Sequence, residues 1–528
     1  MSPFQEFHTS HQRGNGGNAE SLQAPTDISV DSLDAVYRAK AKILDDAFQE
    51  IGMGRYQWRL FVMAGLGWFS DEIGLLTKAL ILTSVTREFN VQGEWMLLAQ
   101  ALGLLVGVIF WGVGCDLWGR RWSFNLTLLI IAFFTLTAAA APNYTTLCAC
   151  ISAWSFGVAG NVPVHSIIFI EFVPLSHQYL LTILAIWWSL GDLISTLIAW
   201  PLISSFSCPP APAPCPTSSN RGWRYLLLVL GGIMLIIWIV RFFVFNLQES
   251  PKYLIDRGRD DEAVAVVHRV ASINGKTSGL KVEHLKEAEK RGGPVHKEAR
   301  MVTSTGAMRR ISTFHANHVR VLFSTRTLAY SMGILVVSWA LIGLAFPLFY
   351  TFQTYYLQIR GVESGSLFDT YRNQVISYFL SVPAALMAGY LIEVPILGRR
   401  RTLAIFTVLT GVFIFLSTTA RTTHAYDGWN CGVNYASTVM YAVLFNLSSE
   451  LFPTKARGTG FSMVLAANYV FSALTPIIVL NTDINSPVPI WVAGGILVST
   501  GFIMLLVPIE PQGRGSVEIY GPELFIDV

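Results

Sequence analysis

The sequence predicts an all-α membrane protein of twelve transmembrane helices arranged as two six-helix bundles, and three observations carry that prediction. The 528 residues are 52% apolar and only 13% charged, against about 25% charged for a soluble domain. Apolar runs of about twenty residues, the length that crosses a bilayer, recur along almost the whole chain. Two landmarks also repeat at one offset. Gly119 and Glu171 stand 52 positions apart, as do Gly398 and Glu450, each pair separated from the other by 279 residues. A shared offset of this kind marks a duplicated six-span unit, with any pathway running between the halves.

Taken in order, residues 1–34 are rich in Ser, Gly, Asn and Gln and read as a disordered tail. From Ala35 the stretch "AVYRAKAKILDDAFQEIGMG" has helical periodicity and ends in a glycine turn, so a short interfacial helix completes the tail over 1–50. Six spans are expected near 58–85, 95–114, 123–141, 146–171, 179–204 and 223–245, making an N-terminal bundle over 51–248. A central loop over 249–325 follows. The segment 246–326 holds about fifteen Lys and Arg, which the positive-inside rule places in the cytoplasm. An even number of spans on each side puts both termini there too. Within the loop, "GRDDEAVAVVHRVASING" reads as an amphipathic surface helix, and the remainder to about 315 as mobile. Six more spans near 327–356, 372–393, 402–420, 431–450, 459–481 and 489–508 make a C-terminal bundle over 326–508, leaving 509–528 as a cytoplasmic tail.

Several function classes drop out. Basic residues sit in loops without interleaved aromatics, so no nucleic-acid partner is indicated. No Walker loop, nucleophile elbow or His/Cys cluster of metal-ligand spacing occurs, which argues against an enzyme, an ATP-driven pump, a metal or a cofactor. The lipid bilayer is the partner that the apolar runs require, and the chain is expected to act as a monomer. Of six cysteines, Cys115, Cys148 and Cys150 read as small buried hydrophobes. Cys208 and Cys215 flank "PPAPAP" in an outward loop. They can pair, or stay as free thiols held apart by an extended proline segment. Gly103 and Gly107 form a small-xxx-small face for close helix packing.

The first span poses the chemical question. "GWFSDEIGLLTKALIL" (67–82) is apolar at its flanks yet contains Asp71, Glu72 and Lys78, and each ionised group at a bilayer centre costs roughly 2.5–3.5 kcal/mol on the mildest scale. Asp71, Gly74 and Lys78 share a helix face. Seven residues rise about 10.5 Å, too far for Asp71 and Lys78 to pair, so Lys78 needs another partner, water in a cavity, or a carboxylate solute. Glu72 points about 100° away. Asn161 and His165 in the fourth span and Asp192 in the fifth add polar groups to the membrane interior. His165 can take a proton near neutrality or serve as a packing residue. Each acid reads either as a proton or solute site or as part of a fixed ion-pair network.

The motifs then resemble a known family. Gly112-x3-Asp116-x2-Gly119-Arg120-Arg121 is similar to the loop 2–3 signature of the major facilitator superfamily. "LQESPKYL" (247–254) and "ELFPTKARGTG" (450–460) resemble its sugar-porter branch. "GMGRYQW", "GNVPV", "EF" followed by "HQYLLT", and "WNCG" look like a fungal group of that branch related to the synaptic-vesicle-type and organic-ion transporters. The resemblance covers about residues 40–510. It implies alternating-access transport of a small polar organic solute (a sugar, an organic acid or a related metabolite), coupled to protons. Export of a fungal metabolite and a non-transporting receptor are the alternatives. Asp71 lies where the family commonly carries an acid. It also implies a cytoplasmic gate network of Asp116, Arg120, Arg121, Glu171, Glu249, Glu393, Arg399, Arg400, Glu450 and Arg457, whose ion pairs between the bundles would break on opening, with simple topology anchoring as the other reading. Trp188, Trp339, Tyr350, Asn434 and Tyr435 fall on helices that line the cavity in this fold. The chain departs from its relatives at two places: His165 stands where they often have Asp, and Asp192 where they often have an amide. A plasma-membrane location is expected, with an endomembrane as the alternative.

Overall fold

The computed structural model describes residues 27–208, 215–245, 247–291, 319, 322–359, 367–452, 456–482, 486–508 and 510. Twelve helical spans cross the fold in two bundles. The first six are α2 (Arg55–Phe89), α3 (Glu94–Trp118), α4 (Arg120–Ala138), α5 (Tyr144–Phe172), a broken fifth span of α6 (Leu180–Ile183) and α7 (Ile186–Phe206), and α8 (Gly222–Phe243). The second six are α12 (Arg326–Ile359), α13 (Leu367–Leu391), α14 (Gly398–Ser417), α15 (Thr423–Leu451), α16 (Arg457–Asn481) and α17 (Val488–Met504). Ten of the twelve are long and apolar enough to cross a bilayer by that criterion alone. The other two are α17, with 17 residues, and α15, which opens on the polar run Thr423–Asn430. That run was expected to lie outside the span. It is helical because the Thr422 side chain accepts from the Ala425 amide at 3.2 Å and so caps the helix eight residues early.

Inside the membrane the chain satisfies its own polar groups, as hydrocarbon requires. Hydroxyls of Ser70, Thr77 and Thr127 donate back to carbonyls four residues earlier. Within the N-terminal half α5 packs against α3 and α4, and α4 against α8; within the C-terminal half α14 packs against α15 and α17, and α12 against α16 and α17. The halves meet along α7–α13 and α3–α16. A Cβ at Gly103 or Gly107 would strike the Ser152 or Phe156 carbonyl of α5, so both glycines are what lets α3 approach.

One face carries three short helices between the halves: α9 (Pro251–Asp256), α10 (Asp260–Ile273) and α11 (Val282–Arg291). We call it the basic face. The helix before the first span, α1, runs Asp27–Ile51, so the stretch read as a disordered tail is helical from Asp27. Its amphipathic face is not left to lipid. Val36, Ala41, Leu44, Phe48 and Ile51 are buried, and α1 packs against α9, α10 and α11. Lys40, 3% exposed, pairs with Asp260 at 2.6 Å and Glu289 at 2.8 Å. Lys252 meets Asp45 at 2.5 Å, although burial still holds its ammonium below the ordinary lysine range. The loop beyond Gly275 was expected to be mobile to about 315, but its residues 282–291 form α11; residues 292–318 and 511–528 lie outside the described residues.

On the opposite face Cys208 and Cys215 are joined by a disulfide, with Cα atoms 6.0 Å apart. The segment after it is fastened to α2. Glu88 accepts from the Trp223 indole at 2.8 Å and from Asn220 at 3.0 Å, and pairs with Arg224 at 2.9 Å.

Candidate functional site

The two sequence landmarks form the same corner twice. In the first half Arg120, at the start of α4, is ion-paired with Glu171 at the end of α5. In the second, Arg399 binds Glu450 through Nε at 2.5 Å and Nη2 at 3.0 Å. All four side chains are buried. Gly119 and Gly398 precede them with φ of +96° and +59°, the left-handed region that glycine enters without strain. A carboxylate from further along caps each helix start. Glu249 accepts from the Arg120 amide at 3.2 Å, and Glu510 from the Arg399 and Arg400 amides at 2.9 and 3.1 Å.

These pairs were expected between the bundles. Instead they close within each half, because α4 packs on α5 and α14 on α15, which sets the start of one helix beside the end of the other. Glu393, half-exposed, reaches Arg399 only at 3.9 Å. The Arg400 guanidinium donates to the Val507 carbonyl at 2.8 Å, and the Arg121 side chain is exposed. Among the described gate residues, Arg457 links the halves: it is buried and within electrostatic reach of Arg120 in the first half, of Glu450, and of Asp45 of α1. The side chain of Asp116, and all of Lys455, lie outside the described residues.

Deeper in the membrane the halves meet in aromatic rings. Trp68 of α2 stacks on Trp188 of α7, with centroids 4.2 Å apart. Phe445 of α15 packs edge-on against Trp188 at 4.6 Å and against Trp339 of α12 at 4.8 Å. The Trp339 indole is held by the Ser448 hydroxyl at 3.0 Å. Two residues read as cavity lining, Trp188 and Trp339, are therefore buried in a seal between the halves.

The acids lie about one turn beyond this seal, toward the disulfide face. Asp71 faces into its own bundle. It is fully buried, its Oδ1 accepts from Asn161 at 2.7 Å, and the Thr127 hydroxyl holds Asn161 in turn at 2.8 Å. Glu72 and Asp192 are both only partly buried. Gly191 brings them together: a Cβ there would meet the Glu72 Cβ at 3.1 Å and the Phe69 carbonyl at 2.7 Å, and Asp192 feels the charge of Glu72. From the other half Tyr350 and Tyr378 lie within electrostatic reach of both acids. Tyr350 is 46% exposed in the middle of α12 while its hydroxyl donates to Asn434 at 3.0 Å, and Asn434 donates to Ser377 at 2.5 Å. Tyr350 is thus an exposed ring between the buried Phe349 and Phe352, on the side of the acids. Tyr435 turns away and donates to the Met387 sulfur at 3.2 Å. Lys78, partly buried, makes no hydrogen bond or ion pair with the described residues.

Sequence reasoning missed Trp68, Phe445, Tyr378 and Arg241. The first three are ordinary residues for an apolar span, and only the partner helix gives them a role. Arg241, within "WIVRFF" at the end of α8, carried a signal. It is an arginine close enough to a helix end to pass for one that reaches the interface, yet it is only 1% exposed.

The family model described as "Sugar (and other) transporter" matches residues 56–519. The chain belongs to that family. The transporter is 49% identical to MFS siderochrome iron transporter 1 of Ceriporiopsis subvermispora, over 92% of its own length and 93% of that protein. It is 24% identical to the niacin transporter NiaP of Acinetobacter baylyi, over 82% and 88%. Among solved structures, the proton:xylose symporter XylE bound to 6-bromo-6-deoxy-D-glucose superposes with a TM-score of 0.66 at 14% identity, covering 88% of this chain and 98% of that one. That likeness shows the major facilitator fold. This chain is thus a multi-pass membrane transporter and not an enzyme.

Proposed function

We propose that the protein moves a small polar organic solute by alternating access, coupled to protons. The observation that carries this reading is the Glu72–Asp192 pair, two carboxyl groups from different helices brought together in the bilayer interior and facing phenols of the other half. Two neighbouring carboxylates hold a shared proton more cheaply than two charges. A proton bound there lowers the cost of turning the empty cavity across the membrane. Tyr350, Tyr378 and Asn434 offer hydrogen bonds to hydroxyl or amide groups of a solute, and Lys78 offers a cation. Asp71, with Asn161 and His165, forms a buried layer behind the pair. In this reading the basic face, with α1 and both termini, is cytoplasmic.

The test is reconstitution into proteoliposomes with an imposed pH gradient, using a siderochrome, niacin and xylose, the solutes in the relatives' names, as the first candidates. At least one labelled solute should accumulate along the proton gradient. The double change Glu72→Gln with Asp192→Asn should abolish accumulation and leave counterflow intact. Accumulation that ignores the gradient in the unaltered protein would sink the proton-coupled reading.

A further inference from the structure

Behind the cavity the N-terminal half encloses a second set of polar groups. The Arg241 guanidinium of α8 lies over the Phe124 ring of α4, 3.1 Å from its centroid, and donates to the Phe124 carbonyl through Nη2. Its Nε and Nη1 have no hydrogen-bond partner among the described residues. Phe124 stands edge-on to His165 of α5, with centroids 4.6 Å apart. His165 is fully buried, with the Asn161 backbone one turn back as its hydrogen-bonding neighbour. It packs on Gly67 of α2, where a Cβ would strike the imidazole. One turn along α2 stands Asp71, whose Oδ2 is also unpartnered. Four helices thus contribute to one column that ends in an acid and a guanidinium, both withdrawn from water. The charges that reach Asp71 are those of Arg241 and Glu72. Glu72 acts in turn on Asp192 of α7, and Tyr469 approaches Asp71 from the other half. Arg241 has Asp71 as its acidic neighbour.

A charge buried without compensation is strongly destabilising, whereas removal of both members of a pair is often tolerated. We propose that Arg241 is the counter-charge of Asp71, a positioning residue that acts across Phe124 and His165 and ties α8 to α2 as one unit. This pairing does not depend on the proton-coupled reading, because its test reads the fold and not transport.

The experiment is a double-mutant cycle on the purified full-length protein, followed by its melting midpoint. Asp71→Asn and Arg241→Gln should each lower the midpoint by several degrees, and the double change should recover at least half of the summed loss. Arg241→Lys, which keeps the charge, should stay near the unaltered protein. The Arg241→Gln penalty should also shrink as acid protonates Asp71, a response that lost packing would not give. Additive losses, a Lys variant no better than Gln, or a penalty constant with pH would each overturn the proposal. If Arg241→Gln yields no folded protein, folded protein from the double change supports the pairing and its absence overturns it.

Discussion

In the N-terminal half Arg120 meets Glu171 and Glu249 caps the helix that Arg120 begins; in the C-terminal half Arg399 meets Glu450 and Glu510 does the capping. Helix α5 spans Tyr144–Phe172 and α15 Thr423–Leu451, so the offset of 279 holds from end to end. At mid-membrane the likeness stops. Where α5 carries Asn161 and His165, α15 carries Met440 and Leu444, all buried. The first half supplies the acids, and the second supplies phenols and the Phe445 ring. Duplication has kept the corners that fix how helices enter the bilayer, and the polar residues at mid-membrane have diverged.

The largest test of this comparison removes one arginine from each corner. Arg120→Gln and Arg399→Gln each strand a buried glutamate and should each cost about 3–5 kcal/mol, read as matched losses in thermal unfolding in detergent. Clearly unequal losses would mean that the corners are alike in geometry and not in energy. Next, Phe445→Ala should cost about 3 kcal/mol, as for other buried aromatics. Its counterpart at the offset, Ser166→Ala, should cost under about 1 kcal/mol, because that hydroxyl only bonds back to Val162 at 3.0 Å. Equal losses would remove Phe445 from the seal.

Smaller effects probe the divided chemistry. Glu72→Gln or Asp192→Asn alone should lower pH-driven accumulation by about tenfold without lowering the melting midpoint. Tyr350→Phe should only weaken solute affinity, by the ~0.5–1.5 kcal/mol of one hydrogen bond. A Tyr350→Phe variant that loses gradient dependence would place coupling in both halves. The smallest expected change is at the caps. Glu249→Gln and Glu510→Gln should each cost about 0.3–1 kcal/mol, less in high salt, as measured by melting at two ionic strengths.

The twelve spans, their pairing by one offset and the acids of the first span were legible because each leaves a local trace: an apolar run, a repeated motif, a charge where charge is costly. Which acid stands beside a second carboxylate was not. Asp71 and Glu72 are neighbours in sequence, and only the approach of α7 at Gly191 leaves Glu72 beside Asp192 while Asn161 takes Asp71 inward. The corner arginines were found by type and misassigned by partner, since a charged motif does not say whether its mate lies in the same half. Phe445 left no trace at all, because a phenylalanine in an apolar helix is expected everywhere.

Helix α1 has a consequence for biogenesis. Lys40 emerges before any span, yet its partners Asp260 and Glu289 follow 220 and 249 residues later. At translation rates of about 5–20 residues per second, that is roughly 10–50 s during which the whole first bundle must be threaded into the bilayer. The ammonium finds both carboxylates only after all six of those spans are in place, so the clasp on the basic face is a checkpoint that closes on a finished N-terminal half.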